Sequence, residues 1–225
     1  MTGSQSDALV FFGATGDLAY KKIFPALQAM AKRGHLNEPV IGVAKAGWNL
    51  DQLKVRARDS VEKHGGLDTA AFKKLCGLLR YVDGDYQSPA TFQSIREQLG
   101  SAQRPAQYLA IPPTLFGLVV EQLAKSGCNR GARVIIEKPF GRDLASAQNL
   151  NRILLGTFEE KAIFRIDHYL GKRPVHNMLF SASQTRSWSR SGTVVISKTC
   201  RSRWRKISES RAGARFMMKP AQSVT

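Results

Sequence analysis

The stretch ALVFFGATGDLAYKKIFPAL, Ala8 to Leu27, decides the fold. Ala8 to Phe12 is a continuous apolar run of strand length, the pattern of a strand buried on both faces of a parallel sheet. Gly13 and Gly16 bracket a tight turn. Leu18, Ile23, Leu27 and Met30 then return at helical spacing. A strand, a glycine turn and a helix start make a phosphate cradle. The first amides of the helix have no intrahelical partner and face the anion, and glycines let it approach. Gly13, Ala14, Thr15, Gly16, Asp17 and Leu18 are therefore candidate dinucleotide contacts, with Thr15 adding a hydroxyl donor. The spacing is not the full G-x-G-x-x-G fingerprint, and turns of this kind also occur without a ligand. Asp17 suits a helix N-cap as well as a ligand contact.

Working outward, PVIGVAKAG supplies a second strand, Val40 to Ala44. Enzymes that use NAD commonly place Asp or Glu at the end of this strand, to bond the ribose 2′-OH. Here the position holds Lys45, with no acid beside it in sequence. A cation suits a 2′-phosphate, so NADP is the expected cofactor; a solvated lysine at a strand end gives the same pattern.

Helices are expected over Leu50–His64 and Thr69–Leu78, followed by strands in LLRYV, QYLAIPP and RVIIEKPF. PATFQSIREQL and TLFGLVVEQLAKSG read as the intervening helices, with Gly127 as a helix stop. This alternation predicts an α/β fold, a Rossmann-like doubly wound parallel sheet with right-handed crossovers. Ligands in such sheets sit beyond the carboxyl ends of the strands. That singles out Lys45, Tyr86, the Pro112–Pro113 pair and Lys138, whose backbone is fixed by Pro139. Packing accounts for Tyr86, and an ion pair with Glu137 for Lys138, as readily as a site does.

A sixth strand, Ile163 to Ile166, emerges into Asp167-His168-Tyr169-Leu170-Gly171-Lys172. A carboxylate next to a histidine suits general-base chemistry. An imidazole, a phenol and an ammonium together suit a phosphate dianion. So many functional groups at one strand end favour a site over isolated structural roles.

Gly13-Ala14-Thr15-Gly16-Asp17-Leu18-Ala19 with Lys22, then Glu137-Lys138-Pro139-Phe140-Gly141, then Arg165-Ile166-Asp167-His168-Tyr169-Leu170-Gly171-Lys172 closely resemble glucose-6-phosphate dehydrogenase over about residues 7–180. The resemblance implies oxidation of glucose 6-phosphate to 6-phosphoglucono-lactone with NADP as hydride acceptor, the entry step of the pentose phosphate pathway. It implies that the Gly13–Tyr20 turn and Lys45 hold the dinucleotide, with Tyr86 and Tyr108 as further contacts. Lys138 would reach both substrate and nicotinamide. His168, Tyr169 and Lys172 would grip the sugar phosphate, and Asp167 would orient the catalytic base. One departure is Arg173, where the family usually has Glu.

Beyond about residue 180 the resemblance stops. The family continues into a second, α+β domain that carries the catalytic histidine and the homodimer surface, and neither is recognisable here. Two parts are therefore expected: residues 1–180, a dinucleotide-binding domain with the start of a substrate site, and residues 181–225, a basic tail without order. Ten of the 34 Lys/Arg but one of the 17 Asp/Glu fall in that tail, so it carries over half of the formal charge of +17. Ala214 to Thr225 can be encoded so that the neighbouring frame reads Gly-Ala-Phe-Tyr-Asp-Glu-Thr-Gly-Thr-Ile-Arg-Asp, similar to a segment of the family's second domain. A change of reading frame near residue 180, and an inactive truncated form, are the expectations that follow.

Two other function classes fit parts of the sequence. One is another NADP-dependent sugar oxidoreductase with a Glu-Lys-Pro segment. The other is a dinucleotide-binding fragment whose tail, with Trp188 and Trp204, binds nucleic acid non-specifically. Cys76, Cys128 and Cys200 lack metal-ligand spacing and read as reduced thiols. No signal peptide is apparent, and no apolar run approaches the ~20 residues of a membrane helix. A cytoplasmic location is expected.

Overall fold

Among the described residues, three strands are buried along their whole length: β1 (Ala8–Phe12), β2 (Val40–Ala44) and β4 (Pro105–Leu109). Such strands need a covering layer on each face, and the helices supply both. The computed structural model describes residues 5–167, of which Ser6–Ile166 forms one compact unit. The expected boundary at residue 180, the tail, Cys200 and the group His168, Tyr169, Lys172 and Arg173 lie outside the described residues.

The remaining strands are β3 (Leu79–Asp83), β5 (Arg133–Glu137) and β6 (Ile163–Ile166), and the parallel sheet runs β3-β2-β1-β4-β5-β6. This is the Rossmann-like order expected from the alternation of segments. The order of strand addition switches sides between β1 and β4, which run parallel with Phe11 paired to Tyr108 and Phe12 to Leu109. In sheets of this topology ligands bind beyond the carboxyl ends of the strands at such a switch point.

On one side α1 (Phe24–Lys32) packs with α2 (Leu50–His64) and α3 (Thr69–Leu78). Also in contact are α4 (Pro89–Leu99) with α5 (Phe116–Lys125), and α5 with α6 (Leu144–Thr157). The bounds of α2 follow from a capping box: the Asn49 side chain accepts from the Gln52 amide, and the Gln52 side chain accepts from the Asn49 amide. Each such cap satisfies amides that the helix cannot. Phe12, Val10, Val43, Phe92, Leu109, Val119 and Val134 are all 5% exposed or less and form the heart of the core.

Two features differ from the sequence reading. Helix α6 was not expected: its apolar positions are sparse and two of its leucines, Leu144 and Leu155, are exposed, so its periodicity is weak. Its start is nevertheless marked by Asp143, which accepts from the Ser146 amide at 2.7 Å. The helix after the glycine turn begins with a π-helical turn, Ala19–Ile23, in which the Phe24 amide bonds to the Ala19 carbonyl. The five-residue step from Leu18 to Ile23 already carries that extra residue. Such insertions are common at functional sites.

Candidate dinucleotide site

The first turn after β1 is held in place from three sides. The Gly13 amide donates to the Val43 carbonyl at 2.8 Å and to the Tyr86 hydroxyl at 2.9 Å. Tyr86 in turn donates to Val43 at 3.1 Å, and its ring stands edge-on to Phe12 at 5.8 Å. Burial pushes the Tyr86 hydroxyl up to about 12, against the pull of the Gly13 amide, so it stays protonated and keeps donating. Tyr86 thus ties the ends of β1 and β2 together. The backbone of Gly13 sits at φ +83°, and a Cβ there would run into the carbonyl oxygen of Ala110 in the β4 loop. Only glycine fits that position without strain.

The same turn leaves donors available. The Gly16 amide closes on the Gly13 carbonyl at 3.0 Å and the Tyr20 amide on Gly16, also at 3.0 Å. The amides of Thr15, Asp17 and Leu18 donate to no other described residue. Three amides without an internal partner among the described residues, at a helix start, are the kind of donor set that a pyrophosphate needs. Asp17 does not cap the helix: its exposed carboxylate takes a hydrogen bond from Lys21 at 3.0 Å, which holds its pKa below the usual carboxylate range.

The β2–α2 loop is fastened by β3, a feature that sequence reading did not find. Asp83 Oδ1 accepts from the amides of Ala46 and Gly47 at 2.9 Å, from Trp48 at 3.4 Å and from the Tyr81 hydroxyl at 2.8 Å. Lys45 Nζ donates to Asp85 Oδ2 at 2.7 Å. That bond raises the Lys45 pKa and lowers that of Asp85. The lysine therefore has an acid beside it in space, forty residues away in sequence. The only sequence signal is the spacing of Asp83 and Asp85, two residues apart at the end of β3.

Burial alone would push the Asp83 carboxyl up, but the Ala46 amide, the Tyr81 hydroxyl and the Trp48 and Gly47 amides outweigh it and leave it lowered. A carboxylate whose folded pKa is depressed stabilises the fold fully above its unfolded value of about 3.9, and the contribution drains away as pH falls through the folded value. Asp83→Ala is expected to cost about 1–2 kcal/mol at pH 7, since water can reach the freed amides. Thermal melts from pH 6 to pH 2 should show the variant and the parent converging at the acid end; a gap that stays constant would contradict the role of the charge.

Tyr108 lies within β4 and Lys138 directly follows β5. Tyr108 is 6% exposed within β4, and its hydroxyl donates to the Glu137 carboxylate on β5. Burial, first, and that carboxylate both push its pKa well above the ordinary phenol range. Lys138 is exposed, directly after β5, and its bond to Pro139 is cis. The structure thus brings the Gly13–Leu18 turn, Lys45, Tyr86 and Lys138 to the carboxyl edge of one sheet, and keeps Tyr108 inside it. Asp167 follows β6 directly. An apolar cleft of about 290 Å³ between α6 and β5–β6, lined by Ile136, Phe140, Leu150, Leu154 and Arg165, includes none of the expected site residues. Among the described residues no cluster of three or more His, Cys, Asp or Glu could hold a metal ion, and no helix is long and apolar enough to cross a membrane.

Residues 10–177 match the family model for the glucose-6-phosphate dehydrogenase NAD binding domain. The chain belongs to the glucose-6-phosphate dehydrogenase family. It is 45% identical over 173 residues to glucose-6-phosphate 1-dehydrogenase 1 of Mycobacterium tuberculosis, an alignment covering 77% of this chain and 37% of that protein. The crystal structure of glucose-6-phosphate 1-dehydrogenase from Mycobacterium avium superposes with a TM-score of 0.75 at 41% identity, over 83% of this chain and 42% of that one. A glucose-6-phosphate dehydrogenase in complex with its substrate glucose-6-phosphate gives a TM-score of 0.71 at 33% identity, with the same coverage. The chain therefore spans well under half the length of the curated relatives it matches, in a family of oxidoreductases.

Proposed function

We propose that this chain is the NADP-binding part of an enzyme that oxidises glucose 6-phosphate at C1 to the lactone. The observation that carries the reading is the turn after β1, beside the switch in strand order, where the amides of Thr15, Asp17 and Leu18 donate to no other described residue. These amides hold the pyrophosphate, with Gly13, Ala14 and Gly16 shaping the bend. Tyr86 and Tyr108 act through what they hold: Tyr86 fixes the Gly13 amide, and Tyr108 fixes the end of β5 beside Lys138. Lys138 meets nicotinamide and substrate. His168, Tyr169 and Lys172 bind the sugar phosphate, and Asp167 orients the base that takes the C1 hydroxyl proton. When bound, NADP would supply the hydride acceptor.

Lys45 supports NADP over NAD, because its ammonium suits a 2′-phosphate. Asp85 tempers that preference by sharing the charge. Calorimetric titration of the chain should show tighter binding of NADP than of NAD, and Asp85→Asn should widen the gap about threefold at low salt, as expected when one exposed charge loses its competitor. Equal affinities for the two dinucleotides in the parent chain would overturn the NADP assignment. Glucose 6-phosphate, as substrate, tests the other half of the reading through its own titration in the presence of NADP.

A further inference from the structure

We infer that Arg56 is a second specificity-determining residue for the 2′-phosphate, working beside Lys45; the inference rests on the NADP reading above. Arg56 lies two turns into α2, yet its guanidinium is clamped by residues from two other segments. Its Cζ sits 4.7 Å from the Tyr20 ring centroid and 5.7 Å from that of Trp48. Tyr20 belongs to the π-helical turn behind the glycine loop, and Trp48 to the β2–α2 loop that Asp83 fastens. Both distances lie within the roughly 6 Å reach of a cation–π contact.

The rings fix the plane of the guanidinium without using its donors. Its Nε is buried with no hydrogen-bond partner, and its outer nitrogens, which stay at the surface, bond to no described residue. A buried donor left unpaired is costly and calls for an explanation. Nearby acids do not provide one. Asp17 and Asp59 feel the Arg56 charge, but Asp17 is bonded to Lys21 at 3.0 Å, and Asp59 to the Tyr20 hydroxyl and to Lys63. Lys45 is likewise committed to Asp85. A dianion arriving between the two loops therefore meets a planar, pre-oriented fork whose donors are uncommitted, the geometry that arginine offers a phosphate and lysine does not.

The test compares NADP with NAD on the full chain by calorimetry, because only the 2′-phosphate differs between them. Arg56→Met should weaken NADP binding roughly tenfold, the loss of a charge-assisted hydrogen bond, and leave NAD affinity unchanged. Arg56→Lys keeps the charge without the fork and should recover part of the loss. Equal weakening of both dinucleotides would place Arg56 on the pyrophosphate or in the fold and overturn the inference, as would unchanged affinity for both. If the parent chain itself fails to prefer NADP, the broader NADP reading falls first and takes this one with it. Should Arg56→Met not fold, the NADP-to-NAD ratio of Arg56→Lys decides alone: a ratio equal to the parent's overturns the role of the fork.

Discussion

Gly13→Val is expected to lower the melting temperature by about 4–20 °C and to eliminate measurable dinucleotide binding. The first part follows from sterics. At φ +83° any residue with a Cβ is strained by about 1–2 kcal/mol. The new atoms also meet the backbone of Ala110, with its carbonyl carbon only 3.1 Å from the Cβ. Displacing packed backbone adds about 1–3 kcal/mol. Together these reach about 2–5 kcal/mol, and a chain of this size loses about 2–4 °C per kcal/mol. The binding loss follows from position. Gly13 sits where β1 and β4 part, so relieving the clash shifts the turn and breaks the bond from its amide to Tyr86. Gly16→Ala is the matched comparison: its Cβ would lie 3.2 Å from the Gly13 carbonyl oxygen, a contact that a small shift relieves. A Gly13→Val chain that melts like its parent would show that the turn is not as described.

The second large effect is expected one residue earlier. Phe12 is fully buried, stacked on Phe92 at 6.2 Å and edge-on to Tyr86 at 5.8 Å. Phe12→Ala removes a whole ring from a filled core and should cost about 3–5 kcal/mol. Urea denaturation reads this as a lower midpoint with an unchanged slope. The substitution also tests how packing reaches the site. Tyr86 keeps its hydroxyl partners but loses the ring that fixes its angle, so dinucleotide affinity should fall even at temperatures where the variant remains folded. A folded Phe12→Ala chain with parental affinity would show that Tyr86 does not govern the turn.

The parts of this fold that were legible in the sequence are those where local chemistry and tertiary demand agree. Ala8–Phe12 is uniformly apolar because β1 has a layer on each side, and α2 runs over the Leu50–His64 expected of it. α6 was silent for the opposite reason. Its exposed Leu144 and Leu155 blur the apolar stripe, and Ser146 stands where a capping box usually has Glu or Gln. Within the site, Gly13 and Lys45 could be singled out because each lies at the end of an obvious strand. The partners that define their chemistry could not. Asp85 reaches Lys45 across forty residues, Tyr86 reaches Gly13 across seventy-three, and Arg56 is brought to Tyr20 and Trp48 by the packing of α2. None of these distances has a signature in one dimension.

Amide-resolved NMR of the full chain during titration with NADP reports on the turn after β1 residue by residue. The amides of Thr15, Asp17 and Leu18 should shift first and furthest, and their hydrogen exchange should slow as they take up the pyrophosphate. Binding that leaves these three amides unmoved, or that moves instead a set far from this turn, would contradict its role as the pyrophosphate site.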